Sequence, residues 1–328
     1  MTEPPMTSPH ADLRFGPYLD VAVRSSVGAG RVQRTENQDN YVLIDFDGNA
    51  AFLRDQQPQR LRIPGWTEGH GRLAVLDGMG GHGHGREAAE AVAKALLAVP
   101  PCTSVTELSQ QLDALHAVLQ RHFAALGESG PRPGTTLTML ELRPGQAPLL
   151  LHVGDSRLYE ITHQRVTPLS VDHVPATALA MAGQLSEHAW WRHVHGEHWP
   201  QLAQAVILGN TFADPMRLSD PLFELTPSNL PPWLRHLPDR RAIELRAGAL
   251  YLLATDGLWS CADPHEFVSR WPALLSGCAS AAAMLERLFG EMDSNPPRGL
   301  QPDNLTALLL RPLPHNADET ALPAATGA

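Results

Sequence analysis

Leu73-Ala74-Val75-Leu76-Asp77-Gly78-Met79-Gly80-Gly81-His82-Gly83 sets an unbroken apolar run against one aspartate and then a series of small residues. A run of this length, closed by glycine, reads as a strand buried inside a sheet, and it carries Asp77 to a strand end, where loops gather. Two further stretches repeat the pattern: Leu150-Leu151-His152-Val153-Gly154-Asp155-Ser156 and Tyr251-Leu252-Leu253-Ala254-Thr255-Asp256-Gly257. Asp39 precedes the strand-like Tyr41-Val42-Leu43-Ile44, and Asp303 precedes the run from Leu305 to Leu310. A polar turn residue explains any one of these acids. Five at one mouth would repel one another unless cations held them. Oxygen ligands, with no cysteine nearby and no obligatory histidine, favour hard ions such as Mg²⁺ or Mn²⁺ over zinc or copper.

The 328 residues, 43% of them hydrophobic, suffice for one large domain or two small ones around a packed core. A net charge of −10 argues against nucleic acid and anionic membrane surfaces as partners. Cys102, Cys261 and Cys278 have neither metal-ligand spacing nor an even count for disulfides, which suits a reducing compartment. The first residues lack a basic segment followed by an apolar one, and no apolar stretch approaches the roughly 18 residues of a membrane span. The expectation is a soluble, cytoplasmic protein. Residues 1–12 and 313–328, rich in Pro, Ala, Thr and His, read as flexible tails around one domain at 13–312. Two irregular stretches interrupt it, 48–71 and 210–241, the second carrying six prolines.

Helical signals come in pairs. Gly85 to Val99 places Ala88, Val92 and Leu96 on one face, and Ser104-Val105-Thr106-Glu107 is a capping box opening a helix to about Leu126. Asp263-Pro264 starts a second pair, whose partner begins after Ser280 with Met284, Leu285 and Leu288 inward. Strand-like runs lie between the pairs at 134–142, 148–153, 157–161, 249–255 and 305–311. This order does not alternate as βαβ units would; it predicts α+β layers with antiparallel sheets.

Three other site readings compete. Gly78-Met79-Gly80-Gly81-His82-Gly83 matches a dinucleotide fingerprint literally, but Pro100-Pro101-Cys102 stands where a second parallel strand ending in an acid belongs. The glycines serve instead to curl the backbone so that the Gly78 carbonyl reaches a cation. Gly154-Asp155-Ser156 suggests a serine nucleophile, yet no positioned base accompanies it. His188, His193, His195 and His198 are irregularly spaced among Trp190, Trp191 and Trp199, which marks an exposed or half-buried segment rather than a metal site.

Taken together, the motifs Arg34-Thr35-Glu36-Asn37-Gln38-Asp39, Asp77-Gly78-Met79-Gly80-Gly81-His82, Gly134-Thr135-Thr136, Gly154-Asp155-Ser156-Arg157, Ala254-Thr255-Asp256-Gly257-Leu258-Trp259 and Asp303-Asn304-Leu305-Thr306 follow the order seen in one family. Over residues 16–312 the chain resembles the metal-dependent protein phosphatases, the type 2C or PPM family, particularly its bacterial members. The resemblance implies a four-layer α-β-β-α sandwich of two central antiparallel β-sheets flanked by helix pairs. It implies that Asp77 bridges two Mn²⁺ or Mg²⁺ ions, that the Gly78 carbonyl completes one, and that Asp256 and Asp303 hold the other. By the same matching, Asp155 and Asp256 share a third, weaker ion, Asp39 is an acid that orders water on the ions, and Arg34 binds the substrate phosphate. The stretch from Ser170 to Asn210 resembles the family's flap, with an unusual middle rich in Trp and His.

The implied activity is hydrolysis of phosphoserine and phosphothreonine in proteins by a metal-activated water, opposing a Ser/Thr kinase, in a monomer. A planar, permanently charged arginine can grip two phosphate oxygens, which lysine does not reproduce. The proton for the leaving group is open: eukaryotic relatives have a histidine where Met79 stands, and His82 serves either through water or only in packing the glycine-rich turn. Two alternatives remain, a non-catalytic phosphoprotein-binding module of the same fold and a hydrolase of small phosphoesters.

Overall fold

The computed structural model describes residues 13–79, 84–125, 133–197, 205–206, 209–210 and 223–314. The opening apolar run is β7 (Gly71–Leu76), buried along its whole length at the centre of a seven-stranded antiparallel sheet. The order is β16 (Arg240–Ala242), β11 (Gln146–Val153), β10 (Leu137–Arg143), β7, β4 (Asn40–Ile44), β5 (Asn49–Arg54) and β6 (Gln57–Arg62). A second sheet orders β1 (Leu19–Ser26), β18 (Leu305–Pro312), β17 (Leu250–Ala254), β12 (Arg157–Ile161) and β13 (Val166–Pro168). Short two-strand ladders join β2 (Gly28–Ala29) to β3 (Val32–Gln33), β8 (Gly78–Met79) to β9 (Gly134–Thr135), and β14 (Ala205–Val206) to β15 (Gly209–Asn210).

Successive side chains on a strand point to opposite faces, so a strand that is apolar throughout needs a cover on each side. Leu73 and Val75 of β7 pack between the sheets with Leu43, Leu150, Leu253 and Leu308. Ala74 and Leu76 face α1 (Gly85–Leu96) and α2 (Val105–Ala125), meeting Ala88, Val92, Leu96 and Leu112. The second sheet repeats this, covered outside by α5 (Pro264–Ser269), α6 (Trp271–Leu275) and α7 (Ala281–Ser294) through Trp271, Leu285 and Leu288. The result is the expected α-β-β-α sandwich. Buried Arg72 fastens its first two layers: the guanidinium pairs with buried Glu141 at 2.7 Å and donates to the carbonyls of Leu96, Val99 and Pro100 at the end of α1.

Local signals act largely as read. Ser104 Oγ accepts the Glu107 N–H at 3.1 Å, although Glu107 reaches back to Thr103 rather than to Ser104. Asp263 and Ser280 cap α5 and α7. Two expectations are corrected. The stretch at 48–71 is not an irregular loop, since the β5–β6 hairpin occupies most of it. β6 is an edge strand of exposed, mostly polar residues, so no apolar alternation announces it. The second helical layer has three members rather than two, because the Asp263-Pro264 helix ends at Ser269 and the chain restarts at Trp271, with Pro272 in the first turn.

Beyond β13 the chain forms α3 (Pro175–Met181), α4 (Glu187–Trp191) and a π-helical turn at Arg192–Gly196. With residues 225–234 these build a small core of their own around Val171, Val174, Trp190, Val194, Leu225 and Leu234. Trp190 and His195 are therefore buried rather than exposed, while His198 and Trp199 lie outside the described residues. The tails at 1–12 and 315–328 and residues 211–222 of the second irregular stretch also lie outside them. No helix among the described residues is long and apolar enough to cross a membrane.

Candidate metal centre

Strand register gathers the five acids. β4 and β7 are neighbours in one sheet, bringing Asp39 beside the end of β7 and Asp77; β17 and β18 are neighbours in the other, bringing Asp256 beside Asp303. Asp155 sits in the turn through which the chain leaves β11 in the first sheet and enters β12 in the second. All four others act electrostatically on Asp77, which makes it the hub.

Short polar contacts tie the acid-bearing segments to one another. Asp77 and Thr136 are doubly linked: the Asp77 N–H donates to Thr136 Oγ1 and the Thr136 N–H to the Asp77 carbonyl, both at 2.9 Å. The hydroxyls of Thr136 and Ser156 lie 2.6 Å apart, tying the Asp77 strand to the Asp155 turn. Thr255 Oγ1 donates to Asp39 Oδ2 at 2.8 Å, joining the two sheets across the site. Asn304 accepts the Gln38 N–H and donates to the carbonyls of Val27 and Glu36, so the loop carrying Asp39 is moored beside Asp303.

The electrostatics are strained. Burial pushes Asp77 well above the carboxylate range, with Asp39 and Asp256 the strongest repelling neighbours. Asp39 rises to about 8, chiefly by burial and further by repulsion from Asp303 and Asp256, against the lowering effect of the Thr255 and Thr306 hydroxyls. Asp256 rises to about 6 through burial and the Asp303 charge, eased by a hydrogen bond from Asp77. Asp155 also lies well above its ordinary range, through burial and then Asp256. Burial raises Asp303 as well, and Arg34 opposes it.

This donor set suits a hard divalent ion. Asp256 Oδ1 is buried with no hydrogen-bond partner, an orphaned anionic oxygen of the kind a cation satisfies. Backbone packs closely here too: a Cβ on Gly78 would stand 2.3 Å from the Gly85 carbonyl oxygen, and one on Gly257 2.0 Å from that of Asn304. Side chains at either position would force the acid-bearing turns apart. Among the described residues no three acid, histidine or cysteine side chains converge on a single point.

Arg34 lies beside Asp303. Its Nη2 lies 3.0 Å from Asp303 Oδ1 and its Nε donates to the Pro302 carbonyl, with the side chain about half exposed (51%). His82 lies outside the described residues. The roles of Thr136, Ser156, Thr255 and Asn304 are not legible in the sequence, where the signal is that Ser156, Thr255 and Asn304 each adjoin an aspartate of the cluster.

No family model matches the chain. Among curated proteins it is 26% identical over 242 residues to the serine/threonine protein phosphatase PstP of Mycobacterium tuberculosis, a match covering 72% of this chain and 39% of PstP. It is 34% identical over 120 residues to a putative protein phosphatase 2C-type of Streptococcus pyogenes, covering 35% of this chain and 48% of that protein. The chain thus matches less than half the length of these relatives. Among solved structures, the S. agalactiae serine/threonine phosphatase superposes with a TM-score of 0.62 at 20% identity, covering 90% of this chain and all of that one. The PstP catalytic domain in complex with two manganese ions gives 0.54 at 22%, covering 90% and 99%. The fold is that of these solved serine/threonine phosphatases, and in sequence the chain is similar to bacterial serine/threonine and 2C-type protein phosphatases.

Proposed function

We propose that the chain is a Mn²⁺- or Mg²⁺-dependent protein Ser/Thr phosphatase, acting as a cytoplasmic monomer on phosphoproteins made by a Ser/Thr kinase. The observation that carries this is that four further acids, from strand ends of both sheets, lie near enough to Asp77 to act on it electrostatically, in a fold shared with structurally characterised phosphatases. In this reading Asp77, the Gly78 carbonyl, Asp256 and Asp303 hold two ions, and Asp155 with Asp256 a third, weaker one. When bound, such ions acidify water and neutralise charge on phosphoryl oxygens.

The remaining work falls to the chain. Tethering of Arg34 Nε to the Pro302 carbonyl fixes the guanidinium plane, so the fork is oriented before substrate arrives. The phosphate would share it with Asp303, its present partner. Asp39, hydrogen-bonded to Thr255 and placed beside Asp77 by the β4–β7 register, is positioned to order the attacking water and take its proton once cations have displaced the proton the metal-free carboxyl holds. His82, in the segment between β8 and α1, is the candidate proton donor to the leaving alkoxide.

The test is Mn²⁺-dependent turnover of p-nitrophenyl phosphate and of a phosphothreonine peptide, measured side by side. Absence of turnover on both would overturn the reading, and turnover of the small ester alone would indicate a small-molecule hydrolase. Arg34→Ala should weaken inhibition by inorganic phosphate by about 2 kcal/mol, roughly thirtyfold, with Mn²⁺ affinity nearly unchanged. Undiminished phosphate inhibition would remove Arg34 from the phosphate site.

A further inference from the structure

The tip of the β5–β6 hairpin is strained and touches the site. Asp55 (φ 49°) and Gln56 (φ 62°) are the two non-glycine residues with positive φ among the described residues. They are consecutive and form the two-residue connection between the strands. A turn with both central residues left-handed is met without steric cost by Asn-Gly or Gly-Gly, whereas glutamine places a Cβ in that region. The hairpin gains no local benefit from glutamine there.

The side chain has work elsewhere. Gln56 Oε1 accepts the Asn37 N–H at 2.8 Å. Asn37 lies midway between Arg34 and Asp39; its own Oδ1 accepts the Asp39 N–H at 3.2 Å and its Nδ2 donates to Ser25 Oγ at 2.8 Å. Asp55 strengthens the attachment: its N–H donates to Glu90 Oε1, and its carboxylate receives Arg86, whose Nε donates to Glu36 Oε1 at 2.7 Å. The tip therefore grips residues 36 and 37, one directly and one through Arg86.

We propose that Gln56 is a positioning residue that fixes the segment from Arg34 to Asp39 by holding the Asn37 amide, and that the turn's strain is retained for this contact. The assignment of what the segment does rests on the phosphatase reading. Its geometry does not.

Two variants of the full chain separate positioning from a merely structural role. Gln56→Gly relieves the backbone and removes the acceptor; Gln56→Met keeps the backbone cost and removes the acceptor. Both should speed amide hydrogen exchange across residues 34–39 and lower kcat/KM on the phosphothreonine peptide by about fivefold, the effect of one lost hydrogen bond. Their melting temperatures should move apart, rising for Gln56→Gly and staying level or falling for Gln56→Met. Function that follows stability, so that Gln56→Gly is the better enzyme, would overturn the proposal. So would unchanged exchange across residues 34–39, a readout that stands even if the wild type hydrolyses neither substrate. That latter failure would count against the phosphatase reading alone.

Discussion

Asp77→Asn is expected to reduce Mn²⁺-dependent turnover by at least about a thousandfold, and Asp256→Asn nearly as much, while both variants remain folded. Bound cations contribute several kcal/mol of transition-state charge stabilisation, and each 1.4 kcal/mol or so is tenfold in rate. The fold should survive because an asparagine at 77 can still donate to Asp256, as the raised, protonated Asp77 does, and its backbone links to Thr136 are untouched. Asp45 is the contrasting control. It too is fully buried, but its carboxylate accepts the N–H groups of Arg14, Asp47 and Asn49, away from the five-acid cluster. Asp45→Ala should lower the melting temperature by exposing those donors, with Mn²⁺ stoichiometry unchanged. Calorimetric titration of all three variants decides the matter: unaltered Mn²⁺ stoichiometry in Asp77→Asn and Asp256→Asn would remove both from the metal centre.

The strands that build the site were legible because burial on two faces leaves a run of Leu, Val and Ala that little else explains, and the acids stand where those runs stop. Segments whose stability comes from partners were less legible. β6 is stabilised by the ladder to β5 rather than by apolar burial, and its strained Asp55-Gln56 turn lacks the glycine by which such hairpins are recognised. β1, which pairs along its full length with β18, follows the short run Val21-Ala22-Val23 with Arg24 and two serines, too mixed a pattern to stand out. The short helices around Trp190 depend on a satellite core assembled from residues some 40 positions apart, which periodicity within one window cannot register. In the site, the motif order located the acids. The hydroxyl and amide contacts that orient them, such as Thr255 to Asp39, run between strands of different sheets and follow only from the tertiary structure.

Raised carboxylates also fix how metal and proton compete. An acid whose folded pKa exceeds its unfolded value stabilises the fold below the unfolded value, and that contribution is lost as pH rises through the folded one. Asp39, at about 8, therefore makes the metal-free protein lose stability up to about pH 8, and Asp239, which burial raises to about 7 away from the acid cluster, does so up to about pH 7, whereas the contribution of Asp256, at about 6, is already lost by about pH 6. Buried His152, His173 and His195 act oppositely: burial holds all three below their ordinary range, so the unfolded chain takes up protons first and stability falls as pH drops through about 6.5. In a simple melting curve against pH the two trends partly cancel. Comparing protein with and without saturating Mn²⁺ removes the histidine and Asp239 contributions, which are common to both forms. A cation must displace the protons held in the cluster, so the stabilisation that Mn²⁺ confers should grow from pH 6 to pH 8 by about 1.4 kcal/mol per pH unit for each proton displaced. At least one proton should appear in solution per protein loaded near pH 7, seen as a dependence of calorimetric binding heat on the ionisation enthalpy of the buffer. Mn²⁺ stabilisation that is equal at pH 6 and pH 8, with binding heats independent of buffer, would show that the ions do not bind among these carboxylates.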